Sequence, residues 1–331
     1  MHLAVDVMGG DQNADEIVRA SLRCAHDFPD LQLSLVGDPL VIGPDVAGSV
    51  KMRVVATSQV VEMADRPGEA LRHKRDSSMH GAIKLLAEGE VDGVVSAGNT
   101  GALMAIGRFL LRTLPGIDRP AIIKEIPSRK GGCYLLDLGA NINCDADNLV
   151  QFAIMGSLMC RAVGSKPTPR VGLLNIGEED SKGEEQVRIA ADLLRLHPQI
   201  NFMGFVEGDG IYQSDADVIV CDGLVGNVAL KTSEGLASFV AQMIEDALDA
   251  SNVEEGEANQ VLPQMLGRLR RDLMPERYNG ATLVGLTGIV VKSHGRAREQ
   301  GFYQALRVAM HEVEQDVPNR MRGELASMLG T

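Results

Sequence analysis

The stretch Val94-Val95-Ser96-Ala97-Gly98-Asn99-Thr100-Gly101-Ala102 ends a short apolar run in small, hydroxyl and amide residues, and a helical pattern then opens. Two glycines let the backbone come close to a bound group. The free N–H groups of a first helical turn, with the helix dipole, favour an anion there. Ser96, Asn99 and Thr100 add side-chain donors. Helix capping by Asn99 accounts for the same residues equally well on local grounds. The loop lacks the Gly-x-Gly-x-x-Gly spacing of a dinucleotide site and the Gly-Lys-Ser/Thr ending of a P-loop, so neither a dinucleotide nor ATP is the first choice. Asn175-Ile176-Gly177-Glu178-Glu179-Asp180-Ser181-Lys182-Gly183 and Cys221-Asp222-Gly223-Leu224-Val225-Gly226-Asn227 end apolar runs in a similar way. Three such loops suggest an α/β enzyme that handles a phosphate-sized anion in one crevice.

Each candidate carries an ordinary explanation beside the chemical one. Lys182 stands in an acidic loop, where it is either a surface ion-pair partner or a cation that neutralises phosphate or a developing oxyanion. Asn227 follows Gly226 at a helix start and is either an N-cap or an amide donor to a carbonyl or phosphate oxygen. Asp222 orients a donor or caps a turn. Asp6-Val7-Met8-Gly9-Gly10-Asp11 is a strand and a double glycine, weak by itself and explained by a tight turn. Lys292-Ser293-His294-Gly295 ends another apolar run and can reach the same crevice; His294 suits proton transfer or a structural hydrogen bond. Cys221 and Cys144 lie near loop ends without a histidine close in sequence, which favours buried structural thiols over nucleophiles. Asp137, Asp145 and Asp147 suggest a metal, but Asp145 and Asp147 fit a helix start better.

The elements that must position these loops are short apolar runs at 3–7, 31–36, 53–56, 93–96, 121–125, 133–138, 171–176, 202–206, 217–221 and 287–292. Amphipathic segments at 13–27, 77–88, 101–113, 145–163 and 184–196 lie between many of them. The alternation predicts a three-layer αβα sandwich with a mostly parallel, Rossmann-like sheet and ligands beyond the carboxyl ends of its strands. Segment 145–163 is apolar nearly all round and is either central or packed on a second subunit. Met155 and Met159 within it read as core filling. From 228 to 275 the strands stop, and helical patterns at 228–250 and 257–273 predict a helical hairpin inserted in a single domain spanning 1–331. The net charge of −13 and the absence of Trp argue against nucleic acid as a partner. Five unpaired-looking cysteines and a strand at the very N-terminus lead us to expect a cytoplasmic protein without a signal peptide.

Taken in order, several motifs resemble the bacterial phosphate acyltransferases of the PlsX family over nearly the whole chain. They are Asp6 to Asp11, Val95 to Met104, Leu136-Asp137-Leu138-Gly139-Ala140-Asn141, Leu174-Asn175-Ile176-Gly177-Glu178-Glu179, Cys221 to Thr232 and Val291 to Gly295. Two departures are Gln12-Asn13-Ala14, where many members carry a Pro, and Thr282, where a Pro is usual. The resemblance implies transfer of an acyl group from acyl-[acyl carrier protein] to inorganic phosphate, with free carrier protein as the other product. The acyl phosphate would then feed a membrane glycerol-3-phosphate acyltransferase in phospholipid synthesis. It further implies a core similar to phosphate acetyltransferases and decarboxylating dehydrogenases, a homodimer, and catalysis by Lys182 and Asn227. Phosphate and substrate binding falls to Gly9, Gly10, Asp11, Ser96, Gly98, Asn99, Thr100, Gly101, Asn175, Asp222, Gly226, Lys292 and His294.

Such a reaction needs neither metal nor cofactor: phosphate must be held in line with the thioester carbonyl and partly dehydrated, and the oxyanion needs a donor. An acidic carrier protein docking on an acidic chain needs a local basic patch, for which Arg268, Arg270 and Arg271 are candidates, with a solvated helix face as the alternative. Val261, Leu262, Met265, Leu266 and Leu269 beside them suit a dimer or core contact, or a weak membrane-surface helix at the inner face of the cell membrane. The competing functions are a phosphate acetyl- or butyryltransferase using acyl coenzyme A, a non-catalytic carrier-protein-binding scaffold for lipid enzymes, and, third, a metal- and nicotinamide-dependent dehydrogenase.

Overall fold

Short apolar strands with helices between them produce one eleven-stranded sheet in the computed structural model, in the order β3-β2-β1-β4-β11-β10-β5-β6-β9-β7-β8. The structure describes all residues except 12–13, 44–45, 47–49, 130, 165, 251–264, 266, 269–274 and 330–331. The strands are β1 His2–Asp6, β2 Gln32–Gly37, β3 Met52–Ala56, β4 Gly93–Ser96, β5 Ala121–Ser128, β6 Gly131–Leu136, β7 Arg170–Leu174, β8 Asn201–Val206, β9 Val218–Val220, β10 Ala281–Val284 and β11 Ile289–Lys292. Runs such as Leu3-Ala4-Val5 and Val94-Val95 are buried throughout because helices cover both faces. The predicted run 287–292 contains only β11; β10 was missed.

The sheet has two halves. β3, β2, β1, β4 and β11 are mutually parallel, and so are β6, β9, β7 and β8. Between them β10 runs antiparallel to β11 and to β5, and β5 antiparallel to β6. The halves therefore point in opposite directions where they meet. The Ser96 loop follows the carboxyl end of a strand in the first half, and the Asn175 and Cys221 loops follow the carboxyl ends of strands in the second.

The helices are α1 Ala14–Asp27, α2 Pro39–Ile42, α3 Pro67–His73, α4 Ser78–Ala87, α5 Thr100–Leu110, α6 Ala146–Val163, α7 Glu185–Leu196, α8 Gly223–Ala250, α9 Glu299–Glu314 and α10 Val317–Leu329. Asp145 and Asn148 form a reciprocal capping box at the start of α6. Phe152, Ala153, Ile154, Met155, Leu158 and Met159 of α6 are all buried, and the helix packs on α7 and α10 of its own chain. Its apolar surround is thus explained by a central position, and a second subunit is not needed to cover it. Burial of each large side chain of this kind stabilises by roughly 1.5–3 kcal/mol. Of the predicted helix 257–273, only Met265, Gly267 and Arg268 are described.

One buried polar pair sits on the α9 face of the sheet. The Thr282 hydroxyl donates to Glu312, whose second carboxyl oxygen has no partner among the described residues. Burial pushes the Glu312 carboxyl up to about 8, with the Thr282 bond opposing the shift. The pair borders a cavity of about 160 Å³ lined by Tyr134, Met159 and Val308 among others.

Candidate active site

The carboxyl ends of β1, β4 and β11 make a tightly tied cluster. Asp6, fully buried, accepts 2.6 Å hydrogen bonds from the Ser78 and Ser96 hydroxyls. Burial raises its pKa and those two bonds lower it in part. The Gly98 N–H donates to Ser96 Oγ at 3.1 Å, and the Asp11 N–H to the Gly295 carbonyl at 2.8 Å. A Cβ on Gly9 would lie 2.5 Å from Asp6 Oδ2 and 2.8 Å from the Gly98 nitrogen, and one on Gly101 2.7 Å from Pro67. These glycines are required by packing of loop on loop. Asn99 caps α5 through Ala102 N–H (3.0 Å), and its amide donates to the carbonyls of Glu62, Met63 and Asp65. Its side chain is committed to the fold. Thr100 and Gly101 begin α5, where N–H groups have no acceptor within the helix.

Lys292 is the half-buried cation of this cluster. Its Nζ donates to the Ala97 carbonyl at 3.0 Å and to the Ser293 carbonyl. Burial, then the charge of Lys231, pulls its pKa down to about 8, against Asp6 and Asp11. The His294 N–H donates to Asn279 Oδ1 at 2.9 Å, and its Nδ1 accepts from Arg296 N–H at 3.1 Å, which assigns the ring proton to Nε2. Burial, then Lys231, lowers the His294 pKa as well.

A second cluster gathers where α8 starts. Asp222 accepts from the Leu224 and Val225 N–H groups, so Asp222 and not Asn227 caps this helix. The Gly223 N–H donates to the Asn141 carbonyl at 2.7 Å. Gly226 lies so close to the Asp137 carbonyl that any side chain would collide with it. Asp137 in turn accepts from the Ile122, Ala140 and Asn141 N–H groups and is a structural carboxylate. Asn227 is exposed and borders Gly139. Burial raises the Cys144 thiol to about 11 and Cys221 well above its ordinary value, which leaves neither a thiolate nucleophile. Among the described residues no group of three or more His, Cys, Asp or Glu side chains could hold a metal ion.

The two clusters meet through α8. Asn227 and Lys231 are four residues apart and share a helix side. Lys231 Nζ pairs with Glu234 at 2.8 Å, and Glu234 pairs with Lys124 at 3.2 Å. Burial acts against ionisation of Glu234, but the two lysines outweigh it and hold its carboxyl below the ordinary range. Lys292 pairs in register with Ala281, and Thr282 with Ile123. That places Lys292 and Lys124 on one sheet face, two strands or about 10 Å apart. Lys124, Lys231 and Lys292 thus form a cationic row beside the neutral His294, with Glu234 between two of the lysines. The sequence reading missed Lys124, Lys231 and Glu234 as site residues. Only β10, unrecognised, would have aligned Lys124 with Lys292.

Lys182 lies on a separate loop. Its loop follows β7, five strand positions or roughly 24 Å from β11. The Asn175 amide donates to the Gly177 and Lys182 carbonyls and shapes this loop. Lys182 Nζ pairs with Glu179 at 2.8 Å in an exposed contact, which raises the lysine's pKa. Glu178, Glu207 and Asp209 line a cavity of about 380 Å³ beyond it. β7 and β9 are neighbours, so the Lys182 loop borders the Asp222 loop and the start of α8. Arg268 is exposed; Arg270 and Arg271, with Val261, Leu262, Leu266 and Leu269, lie outside the described residues.

A family model described as "Fatty acid synthesis protein" matches residues 1–320. The phosphate acyltransferase of Pseudomonas fluorescens (strain Pf0-1) is 50% identical over 332 residues, covering 99% of this chain and 98% of that protein. The chain belongs to the PlsX family of phosphate acyltransferases. It is therefore an acyltransferase. Two solved structures share the fold of this chain at low identity. A phosphotransacetylase from Streptococcus pyogenes has a TM-score of 0.63 at 15% identity, covering 95% of this chain and 94% of its own. A branched-chain phosphotransacylase from Enterococcus faecalis V583 has a TM-score of 0.62 at 16% identity, covering 94% and 99%. The α/β sandwich with a mostly parallel sheet agrees with the sequence expectation.

Proposed function

We propose that this acyltransferase moves a fatty acyl group from acyl-[acyl carrier protein] to inorganic phosphate, giving acyl phosphate for glycerophospholipid synthesis. The observation that carries the phosphate half is the cationic row of Lys124, Lys231 and Lys292, with Lys231 one helical turn from Asn227 and His294 beside it as a neutral donor. Three ammonium groups against Glu234 suit a dianion, and partial burial strengthens their pull. The N–H groups at the start of α5 and the loops of Gly9, Gly10, Asp11, Gly98 and Gly101 border it. In this reading a phosphate oxygen attacks the thioester carbon, the Asn227 amide donates to the oxyanion, and collapse releases the carrier thiolate. Lys182, swung from its exposed pair with Glu179, adds a positive charge at the leaving group; exposed pairs of this kind hold weakly. Loss of one oxyanion donor typically slows such a reaction by about 10²–10³.

Carrier-protein docking on Arg268 and its neighbours, a homodimer and delivery of product to a membrane glycerol-3-phosphate acyltransferase belong to the same proposal. The homodimer is supported by the exposed Val228, Leu236, Phe239 and Met243 of α8, an apolar stripe that a second copy would cover. A charge-reversing Arg268 variant with unchanged carrier-protein affinity would remove that docking site. No helix among the described residues is long and apolar enough to cross a membrane. Parallel assays with long-chain acyl carrier protein and acyl coenzyme A decide the donor: faster acyl-phosphate formation from the carrier thioester is expected. A preference for coenzyme A would replace this reading with a phosphate acetyl- or butyryltransferase. Binding of the carrier without phosphate-dependent loss of thioester would indicate a scaffold.

A further inference from the structure

The loops around Lys182 and Asn227 expose large apolar side chains that neither packing nor the transfer chemistry uses. Ile142 is 65% exposed, Ile176 79% and Leu224 55%. Each lies just beyond a different strand: Ile142 after β6, Ile176 after β7 and Leu224 after β9. Those strands are consecutive in the order β6-β9-β7, with Leu136 and Leu173 both in register with Val220. The Gly223 N–H bond to the Asn141 carbonyl ties the Ile142 loop directly to the start of α8. The three side chains therefore span about two strand spacings, roughly 10 Å. Lys182 follows Ile176 in the same loop, and Asn227 follows Leu224 by three residues in α8. An isolated exposed apolar residue needs no explanation, but three from separate loops at one rim mark a place where something apolar lands.

We infer that Ile142, Ile176 and Leu224 form an apolar collar that receives the acyl chain of the thioester where it leaves the reacting carbonyl. The inference rests on the proposed transfer at Lys182 and Asn227. The occupant is chosen by continuity: the only long apolar group of the substrates is attached to the carbon that must lie between those two residues. The carrier protein, being acidic, is drawn to cations rather than to three aliphatic side chains.

Chain length reads the collar. Each methylene removed from water contributes about a fourfold gain. The double variant Ile142→Ser/Ile176→Ser, and separately Leu224→Ser, should lower kcat/KM for a hexadecanoyl donor by roughly tenfold or more. The same variants should leave a butanoyl donor within about twofold, because surface substitutions of this type barely touch stability. An unchanged hexadecanoyl-to-butanoyl ratio would overturn the inference. So would a loss seen with acyl carrier protein but absent with acyl-pantetheine, since the patch would then be reading the carrier. A loss accompanied by dissociation of a dimer in sedimentation would assign the face to a second copy and overturn it too. Calorimetry with the non-hydrolysable S-hexadecyl thioether of pantetheine tests the collar without turnover: weaker binding by the double variant supports it, and equal binding refutes it. Failure of the transfer reading shows separately, as wild-type protein that forms no acyl phosphate from either donor.

Discussion

Lys292 should make phosphate use sensitive to pH in a window set by its surroundings. Its pKa, lowered from 10.5 to about 8 by burial and then by the Lys231 charge, leaves it about nine-tenths protonated at pH 7 and about one-tenth at pH 9. If phosphate binds only the charged form, its apparent affinity falls with that fraction, and the KM for phosphate rises about tenfold between those pH values. Steady-state kinetics at saturating acyl donor measure this directly. Lys292→Arg stays charged across the range and should give a flat profile from a weaker starting affinity, since a guanidinium cannot copy the Nζ bonds to Ala97 and Ser293. Lys231→Met removes the neighbouring charge and should move the inflection to higher pH. Unfolding at Lys292 does not mimic the effect. Between about 8 and 10.5 the unfolded chain holds this proton and the folded one does not, so the residue's contribution to stability rises with pH there. A wild-type KM that is flat from pH 7 to 9, or an inflection indifferent to Lys231→Met, would refute the placement of phosphate beside Lys292.

Other consequences concern the frame. Gly226→Ala pushes a methyl group into the Asp137 carbonyl and to 2.7 Å from Cys221 Sγ, with backbone unable to yield, so urea unfolding should show a loss of about 3 kcal/mol or more. Asn99→Ala removes the α5 cap and the donor to three carbonyls; a loss of about 1–2 kcal/mol is expected, and no loss would return Asn99 to a purely ligand-binding role. Glu312 has a folded pKa raised from 4.5 to about 8, so the stability it contributes is whole below 4.5 and is lost as pH rises through about 8. Stability curves of wild type and Glu312→Gln should therefore diverge between about pH 4.5 and 8 in favour of the variant and run parallel above that, and curves parallel from 4.5 to 8 would contradict the burial argument.

The strands and the positions of their end loops were legible in the sequence because buried parallel strands read as continuous apolar runs and because glycine, serine and asparagine cluster at their ends. Asn99 and Asp145 cap the helices that their positions suggested. The reversal at the centre of the sheet was legible too, and went unread. The predicted strands 121–125 and 133–138 leave seven residues between them, too few for the crossover that parallel neighbours need. The same holds for β10 and β11, joined by four residues beginning at Gly285, whose φ of 93 permits the tight turn. Lys124 and Glu234 could not be found from local pattern at all. Lys124 sits inside a strand and Glu234 inside a helix, and only the tertiary register makes them neighbours of Lys292. Lys182 is a different case: its type and loop drew notice, and the structure pairs it with Glu179 in an exposed contact.

Direct attack of phosphate on a thioester carbonyl is tested most plainly by isotope transfer. The purified protein is incubated with hexadecanoyl carrier protein and phosphate labelled with heavy oxygen at every position, and the acyl phosphate is read by mass spectrometry. Direct attack predicts a product that keeps all the label of its phosphate, the bridging oxygen included, with formation sharply slowed in folded Asn227→Ala and Lys182→Ala variants. A product lacking label at the bridge, no acyl phosphate, or near wild-type rates in both variants would contradict the account.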